Sequence, residues 1–216
     1  MTVINPATVV VLAAVAGALL GLGADWLSTR WPDHEADYSR RWPDWRTVLV
    51  PLAGAAVGAA LATRWSEPRD LALLGIYCAA LLVLLATDLD QKLLPDLITL
   101  PLIVLCGVAL ALNWAPPLAD KAFGQGSGLL AAIGLPAFLF VSDRLLRGEL
   151  GAGDLKLGVS VGLMSGVYNV FAGLIFASVA FSALLIVLIV LRRLSLRSAV
   201  PFGPVLIATG FIAALL

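Results

Sequence analysis

The stretch Leu157–Leu191, LGVSVGLMSGVYNVFAGLIFASVAFSALLIVLIVL, runs for 35 residues without one charged side chain. A single α-helix of that length would measure about 52 Å at about 1.5 Å per residue, against a hydrocarbon core of about 30 Å. Two helices are therefore expected, the first of them short, with a turn near Gly166–Asn169 or at Gly173. Arg192, Arg193 and Arg197 close the second. A run of this kind folds in lipid, where each segment must satisfy its own backbone polar groups, and the helix does so.

The composition agrees. The 216 residues are 61% hydrophobic and 13% charged, with mean hydropathy +0.99, whereas soluble domains lie near 45–50% and about 25%. That excludes a soluble globule, a disordered tail and a secreted disulfide scaffold. Fourteen basic and 14 acidic residues leave no net charge, so the electrostatic footprint of nucleic-acid binding is missing and no such partner is expected. Cys78 and Cys106 lie in apolar runs and read as small buried hydrophobes. Without a CxxC pair a cysteine zinc site has no support, and neither metal nor cofactor is expected.

The remaining spans fall between the charges. They are 6–24, closed by Asp25; 47–63, with Gly54 and Gly58 at the GxxxG spacing that lets helices pack closely; 71–87, ending at Asp88; 97–115; 128–142; and 202–216. The first run has no lysine or arginine before it and reads as a retained helix rather than a signal peptide. With the two helices of 157–191 the count is eight, so the fold class is an all-α integral membrane protein, a polytopic bundle of about eight transmembrane helices. Alternate loops share a side. The loops 25–46, 88–96, 143–156 and 192–201 carry 11 of the 14 lysines and arginines; only Arg64, Arg69 and Lys121 fall opposite. This bias puts the four charged loops in the cytoplasm and both termini outside. Lys92 and Lys156 read most simply as anchors of that bias, Glu149 and His34 as solvated loop residues, and the tryptophans of the Trp31-Pro32 and Trp42-Pro43 pairs as interfacial anchors.

Charges near the hydrocarbon are functional suspects, and two cytoplasmic segments stand out. The first is Asp88-Leu89-Asp90-Gln91-Lys92-Leu93-Leu94-Pro95-Asp96; the second is Gly151-Ala152-Gly153-Asp154-Leu155-Lys156-Leu157. Asp88 ends one helix and Asp154 starts another. Two carboxylates brought together cannot both ionise cheaply, so one keeps its proton. The ionised partner can activate water while the protonated one polarises a carbonyl and later protonates the leaving amine. Glycines before Asp154 leave room for a peptide strand, and a helix start favours its charged form. Either segment by itself reads as readily as a solvated loop.

Together, and in this order, the segments resemble those of the bacterial type IV prepilin peptidase family, membrane aspartic peptidases of the GxGD type. Thr87 to Asp96, with Asp88 seven residues before Pro95, looks like the family's first aspartate motif; Gly151 to Leu157 looks like its GxGDxKL motif; and Val200-Pro201-Phe202-Gly203-Pro204 looks like its closing PFGP motif before a last helix. The resemblance covers about 71–216. It implies Asp88 and Asp154 as the catalytic pair, Asp90 being the runner-up for the first role since it shares the segment, with Asp90, Pro95, Gly151, Gly153, Lys156, Pro201 and Gly203 in support. The domain division that follows is an N-terminal transmembrane region, 1–70, with its short loop 25–46, and a catalytic membrane domain, 71–216. The implied substrates are pilin-like or pseudopilin precursors, whose short basic leader precedes a membrane helix. Many family members carry a larger cytoplasmic domain after the first helix, with zinc-binding cysteine pairs, and methylate the new N-terminus using S-adenosylmethionine. Here 25–46 holds no cysteine, so a peptidase without zinc or methylation is expected. Presenilin-type proteases share GxGD but pair it with a PAL motif, where this chain has Pro201-Phe202-Gly203-Pro204. A proton-coupled carrier would use Asp88 and Asp154 as relays near mid-membrane, in broken helices. A scaffold would need neither acid.

Overall fold

The computed structural model describes residues 5–31, 44–118, 123–146, 151–190 and 202–216. Among them seven α-helices follow one another: α1 (Pro6–Ser28), α2 (Trp45–Arg64), α3 (Pro68–Gln91), α4 (Asp96–Ala111), α5 (Gly124–Leu146), α6 (Ala152–Val190) and α7 (Gly203–Leu215). A single 3-10 turn, Pro116–Leu118, precedes α5. Six helical stretches are long and apolar enough to cross a membrane, the fourth of them Asp96–Leu118, which joins α4 to the 3-10 turn after it, and α7 is a shorter apolar helix. Large apolar side chains stand exposed along them, Val11, Leu12, Val15 and Leu19 on α1 for example, as lipid-facing surfaces require. The fold is all-α and polytopic. Helix α6 is broken at Gly166, whose φ of 72° and ψ of 175° are not helical, so eight helical segments stand where eight were expected. The break falls at the first of the two anticipated places. Gly173 is helical and packs against Thr209 of α7, whose carbonyl would stand 2.8 Å from an added Cβ.

The helices form two compact units, divided within α4 between Leu102 and Ile103. In the first, α1 and α2 run antiparallel in backbone contact. A Cβ on Gly54 would strike the Gly17 carbonyl, one on Gly58 the Ala13 carbonyl, and one on Gly21 would stand 2.6 Å from the Pro51 Cα. Lipid tails are as apolar as leucine, so helices here associate through close packing, and small residues permit it. The GxxxG spacing of α2 is used in this packing, and the facing surface of α1 carries Gly17 and Gly21 at the same spacing. Helix α3 lies against both, burying Leu74, Tyr77, Leu81 and Leu84 at spacings of three and four.

In the second unit α5 and α6 run antiparallel. A Cβ on Gly162 would stand 2.5 Å from the backbone of Ala131 and Ala132. The break in α6 is fastened on two sides: the Val167 N–H donates to Ser127 Oγ at 2.9 Å, and Asn169 Nδ2 donates to the Pro117 carbonyl at 3.4 Å. These contacts make the break a fixed feature of the packing.

Helix ends depart from the expected loops. Asp25 lies inside α1, Asp88 and Asp90 inside α3, Asp143 and Arg144 inside α5, and Asp154 and Lys156 inside α6. Each helix continues a turn or so beyond its uncharged stretch, because a charge does not stop a helix while water or a cap can still satisfy its backbone. Pro201, His34, Glu149, Lys121, Arg40, Arg41, Trp42, Arg147, Arg192, Arg193 and Arg197 lie outside the described residues.

Candidate active site

The first acidic segment closes α3. Helix α3 ends where Lys92 takes the left-handed conformation, φ 54°, and its N–H bonds the Asp88 carbonyl at 2.9 Å. Residues 93–95 cross to α4, whose first turn is anchored on Pro95: its carbonyl accepts from the N–H of Ile98 and of Thr99 and from Thr99 Oγ1, at 3.0, 3.1 and 3.3 Å. Pro95 thus serves as the backbone cap of α4. Asp88 is 5% exposed and extends the buried stripe of α3 by one more step of four.

This end of the first unit is built by three helices. Ala24 of α1, Val50 of α2 and Ala86 of α3 form a small buried core, with Val83 and Leu89 packed on it. Above it, Gln91 Nε2 donates to the Ser28 carbonyl of α1 at 3.0 Å. Arg46, in the first turn of α2, is only 4% exposed; its Nη1 lies 2.6 Å from Asp90 Oδ1 and its Nε lies 3.7 Å from Asp44 Oδ2. Asp44 in turn caps α2, accepting the Trp45 N–H at 2.7 Å. Trp26 and Trp45 stand exposed at the same end, Trp26 beneath the Arg30 guanidinium at 4.1 Å, the placement of an interfacial belt. Asp90 is therefore engaged by a buried cation from another helix. By its place in the sequence Arg46 reads as one more loop charge. The local signal that could have marked it is an arginine in a helix's first turn, where the dipole disfavours a cation and an anion must compensate.

The second segment opens α6. Gly151 is the residue before the helix and Asp154 lies three residues on; the Gly151 N–H donates to Asp154 Oδ2 at 3.3 Å while the Asp154 N–H bonds the Gly151 carbonyl at 3.0 Å. This is the reach-back half of a capping box, with a glycine where the box would have serine or threonine. Asp154, Gly153 and Lys156 are half-buried. A Cβ on Gly151 would meet Asp154 Oδ2 at an ordinary 3.6 Å, and Gly166 alone among the glycines described has a positive φ. The chain's own folding does not demand a glycine at 151. Gly203 is buried and starts α7. Asp88, Asp90 and Pro95 thus belong to the first unit, and Gly151, Gly153, Asp154, Lys156 and Gly203 to the second. Among the described residues no group of three or more His, Cys, Asp or Glu is placed to hold a metal.

Fold and acid-bearing helix ends define a polytopic all-α membrane protein with carboxylates in the last turn of one helix and the first turn of another. The chain belongs to the type IV leader peptidase family, whose sequence profile matches residues 75–191. It is similar to the prepilin leader peptidase/N-methyltransferase of Aeromonas hydrophila, 32% identical over 192 residues, which are 88% of this chain and 63% of that protein. The protein of the same name in Burkholderia pseudomallei strain 1026b is 34% identical over 76% of this chain and 53% of its own length. That of Pseudomonas aeruginosa is 28% identical over 79% and 58%. This chain spans less than two thirds of the length of these relatives. No solved structure matches it. Family membership leaves the carrier reading without support, and neither aspartate sits in the interior break of α6.

Proposed function

We propose that this protein is an aspartic endopeptidase of the inner membrane that removes the short basic leader from type IV prepilin-like precursors at the cytoplasmic face, with Asp88 and Asp154 as the catalytic pair. The observation that carries the reading is the family match over 75–191, which takes in both aspartates. The catalytic region is read as 71–216. The positive-inside bias, 11 basic residues against three, supports a cytoplasmic site. A leader attached to a membrane helix presents its scissile bond at that boundary, where carboxylates at helix ends suit it.

On this reading one carboxylate holds a proton and the other is ionised. The ionised group takes a proton from water as the water oxygen attacks the scissile carbonyl; the protonated group hydrogen-bonds the carbonyl oxygen. As the tetrahedral intermediate collapses, a proton passes to the leaving nitrogen, and leader and mature chain separate. Gly151 leaves open the space beside Asp154 that a side chain would fill, which suits an extended substrate backbone. The proposal is confined to the peptidase step. N-methylation belongs to the names of the longer relatives, and the 25–46 segment here has no cysteine pairs.

The test is co-expression with a pilin-like precursor from the same genome, comparing wild type with Asp88→Asn, Asp154→Asn and Asp90→Asn. Shortening of the precursor should vanish with the first two and persist, slowed, with the third. Normal cleavage by a folded Asp88→Asn or Asp154→Asn protein would end the aspartic assignment.

A further inference from the structure

We propose that Arg46 is a positioning residue for this reaction: its ion pair with Asp90 fixes the last turn of α3 and thereby the direction of Asp88. The inference rests on the reading of Asp88 as catalytic. Asp90 lies two residues past Asp88, about 200° further round the helix, so an anchor on Asp90 holds Asp88 from behind without occupying its space. Arg46 Nη1 stands 2.6 Å from Asp90 Oδ1, and both side chains are nearly sealed from solvent, at 4% and 6% exposure. The next residue, Gln91, is tied to the Ser28 carbonyl of α1 at 3.0 Å. Successive residues of α3 are thus gripped by two different helices, above the Ala24–Val50–Ala86 core.

The orientation of the pair argues that it does more than hold helices together. An arginine in the first turn of α2 and an aspartate in the last turn of α3 each sit at the helix end whose dipole disfavours them. A buried ion pair is poor glue, and an apolar contact of similar size serves stability as well or better. Its distinguishing property is charge matching: a buried guanidinium left without an opposite charge is costly, so the pair favours the rotation of α3 that brings Asp90 to Arg46, where small apolar side chains would tolerate several.

The experiment is a double-mutant cycle on the full chain in lipid vesicles, measuring kcat and KM for a prepilin and amide hydrogen exchange across 84–92. The variants are Arg46→Lys, Arg46→Met, Asp90→Leu and Arg46→Met with Asp90→Leu. Arg46→Met should lower kcat by roughly 10- to 100-fold, the scale of an ångström-sized misplacement, while KM moves by less than about threefold. Exchange across 84–92 should quicken, Arg46→Lys should restore part of kcat, and the double variant should lose no more than the worse single. The double variant buries no lone charge, so it reports even if a single variant does not fold. Wild-type kcat with unchanged exchange in the folded double variant, additive losses, or a rise confined to KM would each overturn the proposal. If wild type cleaves no prepilin, the peptidase reading falls, and the exchange data alone decide whether Arg46 braces α3.

Discussion

The two acid-bearing helix ends are held in different ways. Asp154 lies in the first turn of α6, where exposed N–H groups and the positive end of the dipole favour an anion, and its carboxylate accepts the Gly151 N–H of its own helix start. Asp88 lies in the last turn of α3, where the dipole opposes an anion, and that turn is secured from outside by Arg46 of α2 and by Ser28 of α1. A carboxylate at a helix start can be held by local chemistry; one at a helix end needs neighbouring helices.

The largest effect that tests this contrast is on catalysis. Asp88→Asn and Asp154→Asn should each slow precursor cleavage by about 10³-fold or more, since on the proposed mechanism each removes an acid–base group worth roughly 10²–10⁴ while keeping its size. Rates are measured on protein whose circular dichroism matches wild type. A loss with only one of the two would mean that the two ends do not share the chemistry.

Packing changes should separate the ends. Gly54→Leu drives a side chain into the Gly17 carbonyl, and a backbone obstacle yields little, so a destabilisation of about 3 kcal/mol is expected, the upper part of the overpacking range. Thermal unfolding measures it. Hydrogen exchange should rise across 84–92, which α1 and α2 support, and stay unchanged across 152–158. Gly166→Ala should act the other way round. Its backbone at φ 72° and ψ 175° is open essentially to glycine alone, and an added Cβ stands 2.5 Å from Leu118 Cδ2 and 2.8 Å from Ser127 Oγ. About 2 kcal/mol is expected, with exchange rising across 160–170 and not across 84–92. Equal loosening of both regions by either change would erase the distinction between the two supports.

The sequence was most legible where the physics is local. The uncharged run 157–191 exceeds one bilayer, and a glycine-bearing segment in its middle carries the break. The family was legible because the order and spacing of short segments can be read without knowledge of the packing. Closing each stretch at its first charge misplaces the helix ends at Asp88, Asp143 and Asp154 by four or five residues, a turn to a turn and a half, whereas the chain closes α3 at Lys92, with a left-handed residue and a following proline. Arg46 was invisible for a further reason. Counting charges per loop assigns it a side of the membrane, but its partner is 44 residues away on another helix, and only the antiparallel packing of α2 on α3 joins them.

The smallest effect tests the local half of the contrast. Asp154→Ala removes the acceptor for the Gly151 N–H and should destabilise the start of α6 by about 1 kcal/mol, the usual worth of such a cap. Asp154→Asn keeps a side-chain oxygen and should lose less than about 0.5 kcal/mol. Hydrogen exchange at 151–156 resolves the two better than global unfolding, because a frayed first turn opens without the rest of the helix. Both variants are expected to be equally inactive in precursor cleavage. Identical exchange in both would mean that the capping bond contributes nothing to holding Asp154. A difference in exchange with no difference in activity would separate the observed role of the carboxylate from the proposed one, the helix cap that any suitable oxygen can supply from the proton transfer that requires an acid.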